Sequence, residues 1–220
     1  MTSKDRRVAI VGAGPAGLVT ARFLKAQGFE ATLFERGTRV GGQWDRTAAN
    51  SAIWPDMRAN TSRIMTRFSD LDYPEGVPAF PHNEQVRAYL EAYAAAFDLL
   101  PLVRFGTAVE QIARNPAGGY VLRLTDAAGQ RSSGAFGRVV VASGRYQNPF
   151  APRVDGLETF GGRGGVGHAC RYEGPDRFVG ARVIVAGGSI SALEIASDLA
   201  QGAPPRSRSR CAGSAMWCRS

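Results

Sequence analysis

The sequence predicts an α/β fold with a parallel sheet, on two observations. The stretch RVAIVGAGPAGL from Arg7 to Leu18 has the pattern of a strand, a glycine turn and a helix, and ARVIVAGGSISALEIASDLA from Ala181 to Ala200 repeats that order. Between them, strand-like and helix-like segments alternate. Two such units in one chain predict a Rossmann-like domain and the start of a second one.

The elements of the first unit follow one another along the chain. A strand over Arg7–Val11 leads through the glycine turn into a helix that ends at Gly28, and EATLFER is a second strand with Glu35 at its carboxyl end. GYVLRLTD and GRVVVASG are typical of strands, the first as half of a hairpin. A further helix is predicted from one apolar face: Val86, Tyr89, Leu90, Tyr93 and Phe97.

Two irregular stretches organise the rest of the chain. The segment from Gly37 to Pro81 is too long for a simple connector in a compact domain, which indicates a functional role. A loop-like stretch beginning at Asn148 marks a domain boundary. We therefore predict a first domain over residues 1–150, part of a second over residues 151–202, and an irregular tail over residues 203–220.

The composition is that of an ordinary globular protein, with 220 residues, 44% apolar and 21% charged. The net charge of +8 includes four arginines that lie after the last acidic residue, Asp198, and no long basic run occurs elsewhere. Nucleic acid is therefore not predicted as a partner. Three cysteines make no disulfide framework, and no apolar run of 18 residues occurs, so we expect a cytoplasmic protein without a signal peptide or membrane span.

The first glycine turn, Gly12-Ala13-Gly14-Pro15-Ala16-Gly17, has the context of a dinucleotide site: a strand before it, a helix after it and an acid about 20 residues on. Gly12 permits the tight turn, Gly14 lets the backbone approach a pyrophosphate, and Gly17 lets helix and strand pack closely. The helix N-terminus attracts the phosphates. Glu35 accepts ribose hydroxyls and repels a 2′-phosphate, which favours FAD or NAD.

Five motifs occur in the order and spacing of one known family. They are GAGPAGL, ER at Glu35 and Arg36, GGQW from Gly41 to Trp44, NTSRIMTRFSD from Asn60 to Asp70, and ASGRYQNP from Ala142 to Pro149. From Arg7 to Gly202 the chain resembles the flavin-containing monooxygenases. The resemblance implies an FAD-binding domain with an NADPH-binding domain inserted in it. It also implies an enzyme that reduces FAD with NADPH, forms a C4a-hydroperoxyflavin with O2, and oxygenates a nitrogen- or sulfur-containing small molecule.

The same resemblance implies roles for individual residues. Gly12 to Ala16 hold the FAD pyrophosphate, Glu35 holds the ribose, and Gln43 and Trp44 lie near the flavin. Asn60 is the expected catalytic residue, between the isoalloxazine and the nicotinamide, where a neutral amide neither titrates nor acts as a stray base. A loop asparagine that caps its own backbone is the alternative for Asn60, and a core aromatic is the alternative for Trp44. The other expected cofactor contacts are Arg36, Thr61, Val109, Gly187, Ser189, Ser191 and Ala192.

The second glycine turn departs from the pattern, because Ser189 and Ala192 stand at its second and third glycine positions. Ala is accepted at the third position, and a serine hydroxyl can donate to a phosphate. The family's identifying sequence, Phe-x-Gly-x-x-x-His-x-x-x-Tyr, appears as FGGRGGVGHACRY with two extra residues before His168. His168 is either that motif residue or a buried structural histidine. Tyr172, where the Baeyer-Villiger relatives carry Trp, favours heteroatom oxygenation.

The chain is expected to be truncated or frame-shifted after Gly202, because APPRSRSRCAGSAMWCRS has neither a strand period nor the apolar content to complete a sheet. An arginine-serine tail that binds nucleic acid is the alternative for this segment.

Two functions therefore stand: the NADPH- and FAD-dependent monooxygenase, acting on an amine, sulfide or ketone, and an inactive fragment that only binds FAD. A Baeyer-Villiger or N-hydroxylating relative is a further alternative for the function. The sequence is also compatible with an oligomer. The absence of CxxC disfavours a disulfide reductase, and no His or Cys pair has metal spacing, so no metal is predicted.

Overall fold

The computed structural model describes residues 6–48, 51–146, 148–202 and 210–212. These residues form two compact units. The first lies within Met1–Ser51 and Arg58–Gln147, and the second lies within Ala52–Met57 and Asn148–Ser220. The division before Asn148 falls close to the boundary expected from the loop-like stretch there. The inclusion of residues 52–57 in the second unit has no local pattern that could predict it.

The first unit contains a parallel sheet and an antiparallel one. Its strands are β1 Arg7–Val11, β2 Glu30–Phe34, β3 Val103–Arg104, β4 Thr107–Arg114, β5 Tyr120–Asp126, β6 Arg131–Phe136 and β7 Arg138–Val141, and its helices are α1 Pro15–Ala26, α2 Arg63–Thr66 and α3 Asn83–Ala96. The parallel sheet has the order β3-β2-β1-β7, and β4, β5 and β6 form an antiparallel meander. The predicted α/β fold with a parallel sheet is confirmed.

The alternation of side chains along β1 explains the layers of this unit. Val8 and Ile10 lie in a buried cluster with residues of α1 and α3, whereas Ala9 between them packs with Leu122 and Phe136 of the meander. Successive side chains of a strand point to opposite faces of the sheet. The parallel sheet is therefore covered by helices on one face and by the meander on the other, which leaves its carboxyl edge to the connecting loops.

The second unit has the order strand, helix, strand. β8 (Ile184–Ala186) is followed by α4 (Ile190–Gly202), and β9 (Arg210–Ala212) pairs with β8 in parallel. The expectation of an irregular tail over residues 203–220 is thus wrong at Arg210–Ala212, and the other residues of that tail lie outside the described ones. Backbone pairing along a three-residue strand is too short to leave a period in the sequence, so pattern reasoning could not find β9.

Helix length bears on the expected absence of a membrane span. The longest helix of the described ranges, α3, has 14 residues, whereas a bilayer needs about 20. No helix within those ranges is both long and apolar enough to cross a membrane.

Candidate functional site

Backbone crowding shapes the turn that joins β1 to α1. Gly12 has φ of +103°, and a Cβ atom there would lie 2.6 Å from the carbonyl oxygen of Ala142, just beyond β7. A Cβ atom on Gly17 would overlap the carbonyl oxygen of Gly12. A larger residue at Gly17 would push α1 away from β1, and one at Gly12 would push the turn away from the chain that follows β7. The close approach of α1 to β1 therefore depends on Gly17, and the tight turn depends on Gly12.

The N-terminus of α1 is available to an anion. Gly14 is the N-cap in extended conformation, no side chain of the described residues caps it, and the first turn contains no acidic residue. Pro15 opens the helix, where its missing N–H is not needed. The partial positive charge of the helix end and its first N–H groups therefore face the turn without a side-chain anion of their own.

The turn of the GGQW motif packs against the first glycine turn. The N–H of Gly41 donates to the carbonyl oxygen of Ala13 at 3.0 Å. A Cβ atom on Gly14 would lie 3.4 Å from the Cα of Gly42, and a Cβ atom on Gly42 would lie 3.0 Å from the Cα of Gly14. Both glycines of the GGQW turn have positive φ, +125° at Gly41 and +59° at Gly42. Two stretches of bare backbone thus meet above the carboxyl edge of the sheet, which is the surface that a pyrophosphate requires.

In the GGQW motif, Gln43 and Trp44 are the residues expected near the flavin, although the glycines make the backbone contact. Gln43 is exposed, and Trp44 is half-buried against the core cluster of the first unit. Both readings of Trp44, core aromatic and residue of the site, remain compatible with this position. The double glycine itself was the signal for the backbone contact.

Asp45 is a buried residue of this turn that sequence reasoning missed. It is 3% exposed, and its Oδ1 accepts from the backbone N–H and the hydroxyl of Thr47 at 3.1 and 2.7 Å. Asp followed two residues later by Thr is a common turn pattern, and it could have predicted the contact. The carboxylate holds the chain as it leaves the turn.

Glu35 follows β2 directly, as predicted, and its carboxylate joins two turns. Oε2 accepts from the backbone N–H of Ala13 at 2.9 Å, and Oε1 accepts from the backbone N–H of Gly37 at 2.8 Å. A carboxylate has about four acceptor sites, so each oxygen keeps capacity for a ribose hydroxyl. The next residue, Arg36, is exposed.

The segment with Asn60 and Thr61 is held by its backbone while both side chains are exposed. The N–H of Ala59 donates to the carbonyl oxygen of Pro81 at 2.8 Å, and the N–H of Arg63 donates to that of Ala79 at 2.7 Å. Within the ranges that the structure describes, the Asn60 side chain does not cap a backbone group, so the alternative of a self-capping loop residue is not the arrangement found. Its predicted place beside the flavin stays a prediction.

Val109 lies on β4 rather than on the parallel sheet. It is half-buried, pairs with Leu124 of β5, and packs against the cluster between the meander and the sheet. The register of β4 against β5 shifts between Val109 and Gln111. A local irregularity of this kind re-aims backbone groups, which is compatible with a cofactor contact at this position.

The second glycine motif lies in the second unit and is more open. Gly187 has φ of +135°, and a Cβ atom on it would lie 3.5 Å from the Cβ of Ala192, an ordinary contact. The carbonyl oxygen of Ser189 accepts from the N–H of Ala192 at 3.0 Å and opens α4, while Ser189 and Ser191 are exposed. Alanine is therefore accommodated at the third motif position, in contrast to the overlap that it would cause at Gly17.

The identifying sequence is divided between surface and core. Phe160 is 53% exposed, and His168 is exposed as well, with its Nδ1 accepting from the N–H of Cys170 at 3.2 Å. The alternative of a buried structural histidine at His168 is therefore wrong, because its ring caps a short helical turn at the surface. Tyr172, in contrast, is buried.

The fold and the paired glycine turns define a Rossmann-like dinucleotide-binding protein, and known proteins agree. The profile of the flavin-binding monooxygenase-like family matches residues 5–220. Dimethylaniline monooxygenase (N-oxide-forming) 2 of Cavia porcellus is 34% identical over 207 residues, which cover 90% of this chain and 38% of that protein. The chain belongs to the flavin-binding monooxygenase-like family, and it spans well under half the length of this relative.

Two solved structures are similar across nearly the whole chain. S-allyl-L-cysteine S-oxygenase from Allium sativum has a TM-score of 0.84 and 27% identity, covering 97% of this chain and 54% of that one. A steroid monooxygenase bound to NADP has a TM-score of 0.65 and 27% identity, covering 93% of this chain and 38% of that one.

Proposed function

We propose that the protein acts as an FAD- and NADPH-dependent monooxygenase that uses O2 to oxygenate a nitrogen- or sulfur-containing small molecule. The observation that carries the proposal is the backbone contact between Gly14 and Gly42, which presents two glycine turns and a helix N-terminus to one ligand. The activities for which the similar proteins are named, N-oxide formation and S-oxygenation, support the substrate class.

The residues present fit FAD. The bare backbone of Gly12 to Ala16 and the uncapped start of α1 suit its pyrophosphate, and Glu35 retains acceptor capacity for its ribose. Gln43 and Trp44, on the GGQW turn, are the residues proposed nearest the flavin. When bound, FAD supplies the redox chemistry by accepting electrons from NADPH and reacting with O2.

In this proposal, the chain's own residues bind and orient the two cofactors. Backbone N–H groups at the start of α1 hold the phosphates, and Asn60 offers an amide that donates and accepts hydrogen bonds without moving a proton. In the second unit, the start of α4 with Ser189 and Ser191 is proposed to hold NADPH, since exposed hydroxyls at a helix N-terminus can donate to phosphate.

The test is to purify the chain with added FAD and to measure three quantities: bound flavin, NADPH oxidation, and the oxygenated product formed from a tertiary amine or a sulfide. We expect stoichiometric flavin and flavin-dependent product. A folded protein that retains no flavin would contradict the proposal. The second candidate is an FAD-binding protein without turnover. It predicts bound flavin with no NADPH oxidation.

A further inference from the structure

The second unit contains a buried tyrosine-carboxylate contact that the proposed function does not use. Tyr172 is 8% exposed, and its hydroxyl donates to Oδ2 of Asp198 at 2.6 Å. Burial, together with the neighbouring carboxylate, raises the pKa of Tyr172 above its ordinary value. The hydroxyl therefore stays protonated and remains a donor to Asp198.

Aromatic packing holds the Tyr172 ring in place. Trp54 meets it edge to face with ring centroids 5.4 Å apart, and Phe178 stacks on it at 6.1 Å. Ile195 and Leu199 of α4 belong to the same buried cluster. A hydrogen bond from a hydroxyl to a carboxylate is stronger than one between two neutral groups. Here the donor ring is also held on several sides.

The contact joins α4, whose start lies in the candidate NADPH site, to the identifying sequence that ends at Tyr172. Tyr172 ends the short helical turn that His168 caps, and Asp198 lies on α4, the helix that follows the glycine turn at Gly187. The other end of α4 is close to the same segment, because a Cβ atom on Gly202 would overlap the ring of Pro175. The helix is therefore attached at two points to the chain between residues 168 and 175.

We propose that Tyr172 and Asp198 form a positioning pair that fixes α4, and with it the second glycine turn, for NADPH binding. This inference rests on the proposed function of the second unit. The pair acts through the helix: loss of the hydroxyl leaves the Asp198 carboxylate without its buried donor, and α4 is then free to shift against residues 168–175. The start of α4 moves with the helix, so dinucleotide affinity depends on a contact two helical turns away.

The experiment compares six forms of the full chain: wild type, Tyr172→Phe, Asp198→Ala, Asp198→Asn, Tyr172→Phe/Asp198→Ala and the control Tyr93→Phe. Two quantities are measured, the amide hydrogen exchange of residues 190–202 and the dissociation constant for NADP+. Asp198→Asn is the conservative rescue, because an amide oxygen still accepts from the tyrosine. Tyr93→Phe is the matched control, since it removes a buried tyrosine hydroxyl that lies 3.4 Å from Oδ2 of Asp70 in the first unit.

We expect Tyr172→Phe and Asp198→Ala to speed exchange in α4 by about tenfold, which corresponds to about 1.4 kcal/mol. We also expect both to weaken NADP+ binding about fivefold, with the double variant no worse than either single one. Asp198→Asn and Tyr93→Phe are expected to match the wild type. Unchanged exchange in Tyr172→Phe would overturn the pair, and faster exchange with unchanged NADP+ affinity would overturn its role in positioning. A wild-type chain that does not bind NADP+ contradicts the proposed function and the positioning role together, and exchange then decides only whether the pair holds α4.

Discussion

Glu35 shows how one side chain serves both the fold and the candidate site. Its two carboxylate oxygens accept N–H groups of Ala13 and Gly37, so the charge is balanced by backbone dipoles from two turns. The residue that is proposed to bind ribose is thus oriented before any ligand arrives. Preorganisation of this kind lowers the cost of ordering the site when a ligand binds.

Glu35→Gln tests both roles. A glutamine amide has one acceptor oxygen and one donor nitrogen, so one of the two backbone N–H groups loses its acceptor. We expect the free energy of unfolding without FAD to fall by about 1–3 kcal/mol, and flavin retention to fall as well. Denaturant titration of the flavin-free protein measures the first effect, with Glu30→Gln, at the exposed first residue of β2, as the control. Glu35→Arg, which offers no acceptor, is expected to retain less flavin still. Unchanged flavin content in it would contradict the ribose assignment.

Asn60→Ala tests the expected catalytic amide. The Asn60 side chain is exposed and its segment is held by backbone bonds of its neighbours, so the fold and flavin content are expected to remain those of the wild type. In a chain that turns over substrate, product per NADPH is expected to fall and peroxide release to rise, because the amide no longer shields the reaction from water and protons. Coupling at the original level would rule out this role.

At the scale of elements, the first glycine turn separates packing from ligand binding. A Cβ atom on Gly17 would overlap backbone, whereas one on Gly14 would lie 3.4 Å from the Cα of Gly42, a distance that the fold tolerates. Substitution by alanine therefore has different predicted effects at Gly14 and at Gly17.

We expect Gly17→Ala to destabilise the first unit by about 1–3 kcal/mol, because α1 must move away from β1. Gly14→Ala is expected to keep near wild-type stability but to lose most of its FAD affinity, since the methyl group covers backbone that the pyrophosphate approaches. Thermal unfolding and flavin titration of both variants separate the two effects. Equal flavin affinity for Gly14→Ala and wild type would contradict the assigned site.

Helix α3 holds part of the long irregular segment through one tyrosine. The Tyr89 hydroxyl accepts from the backbone N–H of Phe68 at 2.7 Å and donates to the carbonyl oxygen of Leu71 at 2.8 Å. Burial raises the pKa of Tyr89, so this hydroxyl remains a donor above neutral pH. One side chain thus satisfies two backbone groups of a segment that lacks a sheet or long helix of its own.

We expect Tyr89→Phe to lower the free energy of unfolding by about 2 kcal/mol, because two partly buried backbone groups lose their partner. Hydrogen exchange over residues 68–71 should accelerate, with flavin still bound. Tyr73→Phe is the control, since among the described residues the Tyr73 hydroxyl accepts one long hydrogen bond, from Thr66 at 3.4 Å. A stability equal to that of the wild type would show that Tyr89 does not hold the segment.

At the scale of the whole molecule, the two units separate the candidate FAD turn from the candidate NADPH turn. The paired glycine turns and Glu35 lie in the first unit, whereas Gly187 and α4 lie in the second. The described part of the tail, β9, pairs with β8 of the second unit. Changes in the tail should therefore affect the second unit and not the FAD turn.

Deleting residues 203–220 tests this separation. We expect FAD affinity to remain unchanged and the second unit to lose about 1 kcal/mol or more, because β8 loses the backbone pairing of β9. Thermal unfolding and flavin titration with and without the segment measure both. The deletion also removes four arginines, and binding to duplex DNA at two salt concentrations is expected to be negligible in either form. Strong binding that depends on the segment would support the nucleic-acid alternative.

Sequence alone determined the elements whose information is local. The strand, turn and helix around Gly12, the acid at Glu35 and the second unit at Gly187 follow from spacing within about 30 residues, and hydrophobic period and glycine chemistry are sufficient to predict them. Family membership followed from the same motifs and was confirmed by the match over residues 5–220.

Only the tertiary structure decided which distant residues meet. The contact of Gly14 with Gly42, the bond from the N–H of Ala13 to Glu35 and the bond from Tyr172 to Asp198 all join residues through packing rather than through local pattern. Such contacts depend on the path of the whole chain, because a side chain's partner across 22 or more residues is set by how elements pack and not by its neighbours in sequence.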